Sequence, residues 1–178
     1  MKKIMLIIIL AFIATACNDQ SGKVDGSLYE PRLVQGSPAV DFLHKEMGGN
    51  PFRLSEEKGK VVVLYFWRMK CEECKEELKS LDGLQRKYRE RGLLVAAIGA
   101  DSMHSAPVFK VREFLDKEKF SFTNIRDEDG FVAEAYRVMR APEAYIIGRD
   151  GNIALVVKGL SDWTGVERTA LLEKLLSE

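Results

Sequence analysis

One stretch of the chain, residues 60–67 (KVVVLYFW), is almost wholly apolar and rich in β-branched and aromatic residues. A strand that is buried on both faces of a sheet has this composition, whereas a strand with one face in water alternates apolar and polar residues. We therefore expect residues 60–67 to form the central strand of a sheet that other elements cover on both sides.

The pattern after this strand changes to that of a helix. Apolar residues recur every three or four positions among Lys, Glu and Arg, at Leu78, Leu81, Leu84 and Tyr88. This spacing predicts a helix over residues 71–91 with one apolar stripe, ended by Gly92. Residues 93–98 repeat the buried-strand pattern, and a second helix is expected over residues 108–120. The segment is therefore a β–α–β unit.

The rest of the chain adds elements to this unit. In chain order they are a short hairpin (41–43 and 52–54, around the turn at 48–50), a short helix (131–139), an antiparallel hairpin (144–147 and 153–157) and a last helix (164–176). Turn residues separate the strands of both hairpins, and the last helix has an apolar side that can pack on the sheet. We predict an α/β fold: a central mixed β-sheet flanked by helices, with an N-terminal β-hairpin.

The first residues have the pattern of an export signal. Lys2 and Lys3 precede an uncharged, mostly apolar run at residues 4–16, which as a helix would span roughly 20 Å, less than the roughly 30 Å hydrocarbon core of a bilayer. The run ends in Ala14-Thr15-Ala16-Cys17, which resembles the lipobox of bacterial lipoproteins, where the cysteine is lipidated. We expect a signal peptide at 1–16, a lipidated tether at 17–36 and one domain at 37–178; the alternative is an ordinary cleaved signal.

Composition limits the number of domains and the classes of partner. A chain of 178 residues with 46% apolar residues can bury one core. Its 27 basic and 27 acidic residues balance, so no overall field favours nucleic acid, and we expect no nucleic-acid binding.

The cysteine count points to one redox pair. Of the three cysteines, Cys17 has a separate use as the lipidation site, so Cys71 and Cys74 remain as a pair. Disulfides persist outside the cytoplasm, and a C-x-x-C motif in an exported chain is therefore more consistent with redox chemistry than with half of a zinc site.

The position of Cys71 at a predicted helix start favours its thiolate. Free backbone N–H groups and the helix dipole stabilise an anion there, and only the thiolate attacks a disulfide. Cys74 lies on the same side of the first turn and would resolve the mixed disulfide. Glu72 and Glu73 oppose ionisation of Cys71 and Lys70 favours it, so we expect a reductant or a mild exchanger.

Glu77 lies three residues after Cys74, on the cysteine side of the predicted helix. A carboxylate at this place can accept or deliver a proton during exchange. A solvated helical glutamate is the alternative.

The chain resembles the TlpA/ResA/DsbE-like branch of the thioredoxin superfamily. The resemblance runs from Gly36 to about Leu160 and depends on GSPAVDF, KGKVVVLYFW, CEEC followed by KEEL, and APEAYIIGRDG. It implies a thioredoxin-like fold and an extracytoplasmic thiol–disulfide reductase, often of apocytochrome c. We also expect a membrane thiol transporter as the electron donor, no cofactor besides the cysteines, and a monomer.

The resemblance also assigns roles to individual residues. It implies that Glu77 assists the exchange. It implies that Pro142 is a cis-proline which, with Ala141, faces the active-site disulfide and seats the partner. It also places Trp67 next to the site, and we expect Trp67 to be a substrate-binding residue together with Pro142 and Ala141. Four positions depart from the related proteins: Lys70 replaces a Trp, Glu73 and Lys79 replace prolines, and Tyr65 stands where thioredoxin itself has a buried Asp.

Other readings of the motif are weaker. A metal site would need more ligands than two cysteines, and His44 and His104 are far from them in sequence, so we expect no bound metal. A peroxiredoxin would have Thr where Arg68 stands. A lipid-anchored binding or scaffold module with a structural disulfide is the main alternative, although a loop this short gives little entropic stabilisation.

Overall fold

Strand β3 (Val61–Trp67) is the middle strand of a five-stranded sheet, and all 7 of its residues are buried. The computed structural model describes residues 33–178. The predicted signal peptide, Cys17 and most of the predicted tether lie outside the described residues. The other elements are β1 (Leu43–Lys45), β2 (Pro51–Arg53), α1 (Glu72–Tyr88), β4 (Leu93–Gly99), α2 (Val108–Glu118), β5 (Thr123–Arg126), α3 (Phe131–Ala135), β6 (Glu143–Ile147), β7 (Ile153–Lys158) and α4 (Val166–Ser177).

The main sheet is mixed, with strand order β5-β4-β3-β6-β7. Strand β3 pairs in parallel with β4, and β4 in parallel with β5; β6 runs antiparallel to both β3 and β7. The predicted α/β architecture is therefore confirmed. The sequence did not predict β5, whose 4 residues (TNIR) are too few and too polar to show a strand period.

The N-terminal hairpin is confirmed, with its strands displaced toward the turn. Strands β1 and β2 pair antiparallel from Leu43 opposite Arg53 to Lys45 opposite Pro51, whereas the sequence predicted 41–43 and 52–54. The hairpin contacts the edge of the sheet at β5, where the Met47 N–H donates to the Asn124 carbonyl at 2.7 Å.

The helices differ from prediction mainly at their ends. After α1 the chain makes a 3₁₀ turn (Arg89–Arg91), and this helical segment ends at Gly92. The φ of Gly92 is 93°, in the left-handed region that glycine tolerates. Helix α3 ends at Ala135 and not at residue 139, because Arg137 has a φ of 54° and no longer continues a helix. No helix within residues 33–178 is both long and apolar enough to cross a membrane.

Helices and hairpin cover the two faces of the sheet separately. Along β3, Val61, Val63, Tyr65 and Trp67 contribute to one buried cluster, which includes residues of α1, α2 and α4. Val62, Leu64 and Phe66 contribute to the second, which includes residues of the hairpin and α3. Since successive strand residues point to opposite faces, an apolar run is what a strand covered on both sides requires.

Gln85 closes a gap in the hydrogen bonding of β4. Strand β5 pairs with β4 only from Ala96 onward, and the first residues of β4 extend beyond it. The Gln85 amide, only 3% exposed, donates to the Leu93 carbonyl at 3.2 Å and accepts from the Val95 N–H at 2.6 Å. One side chain of α1 thereby satisfies both backbone groups.

Replacing Gln85 with leucine is expected to destabilise the fold by about 2 kcal/mol, because two buried backbone groups lose their partners. Urea unfolding followed by far-UV circular dichroism measures this as a lower midpoint with an unchanged slope. The exposed Gln35 provides the control, and Gln35→Leu should leave the midpoint in place. Equal midpoints for the two variants would contradict the role assigned to Gln85.

Candidate active site

Cys71 stands where β3 has ended and α1 begins. A tight turn joins the two elements, with the Cys71 N–H donating to the Arg68 carbonyl at 3.1 Å. The buried carboxylate of Asp101 fixes this turn by accepting from the Met69 N–H at 2.6 Å. Cys71 is the N-cap residue of α1, so its sulfur lies at the end of the helix where backbone donors are free.

Cys71 and Cys74 form a disulfide, with Cα atoms 5.2 Å apart. The two sulfurs differ in accessibility, since Cys71 is half-buried and Cys74 is 0% exposed. The Cys74 N–H donates to Cys71 Sγ at 3.1 Å. The same N–H would stabilise negative charge on that sulfur in the reduced protein.

The loop before β6 reaches the same end of the sheet. The Ala141–Pro142 peptide bond is cis, the geometry that the resemblance implies. The register of β3 and β6 sets Glu143 opposite Phe66, so Pro142 comes alongside the end of β3. Ala141 and Cys71 both pack against the cluster on the α1 face, and the Gly159 N–H donates to the Pro142 carbonyl at 2.9 Å.

Trp67 lies in the core. Its side chain is 1% exposed and packs against Phe114 of α2, with ring centroids 5.6 Å apart. The indole is therefore part of the core and offers no open face at the surface.

Glu77 is a buried carboxylate with fixed partners. It is 8% exposed, accepts from the Ser161 backbone N–H and accepts from Trp163 Nε1 at 3.0 Å. The alternative of a solvated helical glutamate is therefore wrong. The bonds connect the second turn of α1 to the loop between β7 and α4.

Tyr65 lies beneath this carboxylate on β3. Its hydroxyl is 3.4 Å from the Cys74 carbonyl oxygen, to which it donates. Burial, followed by the charge of Glu77 and a hydrogen bond with it, raises the pKa of Tyr65 far above its ordinary value. The hydroxyl consequently keeps its proton at every pH at which the protein works.

Sequence reasoning missed the partners of Glu77. Ser161 and Trp163 follow it by 84 and 86 residues, and no local pattern connects positions so far apart. Tyr65 stood out only as the residue replacing an aspartate. Its polar role could have been suspected because a phenol on a strand buried on both faces needs a partner for its hydroxyl.

The charges beside the cysteines partly offset one another. Glu72 pairs with Lys75, whose Nζ lies 2.7 Å from Glu72 Oε1, although Glu72 is largely exposed and the pair is therefore weak. Glu73, Arg68 and Lys70 are exposed. The repulsion expected from the two glutamates is thus reduced at Glu72.

Within residues 33–178, one group of side chains could hold a metal ion. The ligand atoms of His44, Asp127 and Asp129 all lie within 4.8 Å of one another. Both carboxylate oxygens of Asp127 already accept backbone N–H groups of α3, from Val132 at 2.9 Å and Ala133 at 2.8 Å. Asp127 is therefore accounted for by its hydrogen bonds to the backbone of α3.

Known proteins share this architecture and motif. The model of the AhpC/TSA family matches residues 35–156. The thiol-disulfide oxidoreductase ResA of Bacillus cereus is 30% identical over 145 residues, which are 78% of this chain and 82% of the relative. The thioredoxin-like protein YneN of Bacillus subtilis is 33% identical over 124 residues, 70% of this chain and 71% of the relative.

Solved structures agree with these relatives. A crystal structure from Chlorobium tepidum, assigned as a thiol:disulfide interchange protein DsbE, superposes with a TM-score of 0.73 at 27% identity and covers 81% of this chain and 99% of its own. The family match covers well over half of the chain. The first relative is named a thiol-disulfide oxidoreductase, and a C-x-x-C disulfide at a helix start can perform thiol–disulfide exchange. The chain thus belongs to the AhpC/TSA family, and it is a thiol–disulfide oxidoreductase of the TlpA/ResA/DsbE type in the thioredoxin superfamily.

Proposed function

We propose that this oxidoreductase reduces disulfides of proteins outside the cytoplasm. The observation that carries the proposal is the asymmetry of the pair: Cys71 is half-buried at the start of α1, whereas Cys74 is 0% exposed. The Cys71 sulfur can contact a partner protein, whereas the Cys74 sulfur can react only with Cys71. A catalytic pair needs this division, and a purely structural disulfide does not.

The reaction balances with two cysteines and one base. The Cys71 thiolate attacks one sulfur of the substrate disulfide and forms a mixed disulfide, while the second substrate sulfur leaves as a thiolate and takes up a proton. Cys74 then loses its proton to Glu77 and attacks Cys71 Sγ. The Cys71–Cys74 disulfide forms, and the substrate leaves with two electrons and reduced thiols.

We propose further roles for the neighbouring residues. Ala141 and Pro142 seat the partner's backbone beside Cys71, and Trp67 holds the turn that carries Cys71. The reaction needs no cofactor besides the cysteine pair and no metal. The protein acts as a monomer.

The physiological setting is the finer part of the proposal. Signal cleavage after residue 16 and lipidation of Cys17 would anchor the domain on the periplasmic side of a membrane, where two or more lipid chains hold a protein stably. A membrane thiol transporter supplies the electrons that regenerate the dithiol. Apocytochrome c is the substrate we propose, which places the protein in cytochrome c maturation.

Trapping tests this function directly. In the Cys74→Ser variant the mixed disulfide on Cys71 cannot be resolved, so we expect covalent complexes that dissociate on adding dithiothreitol. Mass spectrometry of complexes isolated from cells identifies the partners, and apocytochrome c is the expected one. The matched control is Cys71→Ser, which should capture nothing. If Cys74→Ser also captured nothing, the binding or scaffold alternative would replace the proposed function.

A further inference from the structure

Three separate parts of the fold meet at the carboxylate of Glu77. Helix α1 supplies Glu77 itself, the loop between β7 and α4 supplies the Ser161 N–H and the Trp163 indole, and β3 supplies Tyr65. Glu77 is 8% exposed, and Tyr65 and Trp163 are each 1% exposed. The contacts are therefore shielded from water, and hydrogen bonds to a charged group are strong in such surroundings.

Every partner of the carboxylate is a hydrogen-bond donor. A backbone N–H and an indole N–H can only donate. The Tyr65 hydroxyl keeps its proton because burial and the charge of Glu77 raise its pKa. Each oxygen of the Glu77 carboxylate is therefore held by a donor from outside α1.

We propose that Tyr65 and Trp163 are positioning residues of the exchange reaction, which hold Glu77 as a ready proton acceptor beside the turn of Cys74. The inference depends on the proposed function, in which Glu77 takes the proton of Cys74. It adds two residues to the machinery of this chain, neither of which touches the substrate.

The geometry of Tyr65 argues for more than packing. Its ring meets Trp163 edge to face, with centroids 6.1 Å apart and planes at 85°, and a phenylalanine would fill the same space. The hydroxyl is what differs: it donates to the Cys74 carbonyl at 3.4 Å, and the nearby charge of Glu77 contributes to raising its pKa. Tyr65 therefore connects the turn of the resolving cysteine to the base.

The neighbouring titratable and charged groups lie on α1, on β3 and on the loop and helix that follow β7. On α1 the titratable neighbour is Cys74, and on β3 it is Tyr65. On the loop side Arg168 of α4 is bonded to the Ser161 hydroxyl at 3.1 Å, and Asp162 is exposed, its Oδ1 accepting from the Thr164 N–H and hydroxyl. The donors from Ser161 and Trp163 are thus the groups that hold the Glu77 carboxylate in place.

The test is the pH profile of disulfide reduction for Tyr65→Phe, Trp163→Phe and Glu77→Gln. Loss of one donor leaves the carboxylate less well placed to take the proton of Cys74, so kcat should fall roughly tenfold across the profile. KM should stay unchanged. Adding Tyr65→Phe to Glu77→Gln should cause no further loss, because the residue acts through Glu77.

A matched control separates this role from stability. Tyr88 is also 1% exposed and donates its hydroxyl to Glu173 at 2.6 Å, toward the other end of α1, so Tyr88→Phe should leave the profile in place. The inference is overturned if Tyr65→Phe keeps the wild-type profile, if Glu77→Gln is fully active, or if the two losses multiply. Failure of the proposed function looks different, since the wild type itself would then not reduce protein disulfides.

Discussion

The Cys71→Ala variant should reduce insulin disulfides no faster than the reductant alone, a loss of at least about 10³-fold in catalysed rate. The reason is that Cys74, at 0% exposed, cannot meet a protein disulfide in place of the missing thiolate. The measurement is the rate at which reduced insulin B chain precipitates, with dithiothreitol as electron donor. The fold should be unaffected, because Cys71 is half-buried at a helix end.

The control for this loss is Cys17→Ser, which removes the remaining cysteine and should keep the full rate. If Cys71→Ala kept a substantial rate that Cys74→Ala lost, Cys74 would be the attacking residue. The asymmetry described for the pair would then be of no functional importance.

Replacing Trp67 with alanine should lower the free energy of unfolding by about 3–5 kcal/mol. The side chain is 1% exposed on the central strand and packs against Phe114, so the truncation leaves a cavity that neighbouring residues cannot fill. Such a loss is a large part of the roughly 5–15 kcal/mol that holds a domain folded. Urea unfolding, followed by far-UV circular dichroism, gives the value.

Trp67→Phe is the matched control, since it keeps an aromatic ring at the position, and its loss should be clearly smaller. Trp163 remains in both variants as a fluorescent probe, because the chain has two tryptophans. A cost below about 1 kcal/mol for Trp67→Ala would contradict the packing described for β3, since such a value is typical of surface substitutions.

Most of the fold could be predicted because its central elements have strong local patterns. Strand β3 was expected at 60–67 and occupies Val61–Trp67, and α1 was expected at 71–91 and occupies Glu72–Tyr88. Strand β5 could not be predicted, since its pairing with β4 is a long-range contact that a four-residue stretch does not encode. The early end of α3 coincides with the positive φ of Arg137, a backbone conformation that the apolar spacing of the segment does not reveal.

The site could be predicted only as far as the motif extends along the chain. Cys71 is the N-cap of α1, and Cys74 and Glu77 lie within that helix, so their spacing was enough to place all three on one element. The burial of Glu77 depends on Trp163, and the position of Pro142 depends on the pairing of β3 with β6. Both are contacts between segments that are distant in sequence. The family resemblance implied the position of Pro142, but nothing in the sequence indicated the role of Trp163.

The complete burial of Cys74 also has a kinetic consequence. In the proposed cycle, once a partner is bound to Cys71 through a mixed disulfide, a second disulfide from solution cannot reach the Cys74 thiol and form a dead-end adduct. The Cys74 thiol therefore stays available for the internal attack on Cys71 that releases the product. Shielding this sulfur protects the resolving step from competing disulfides.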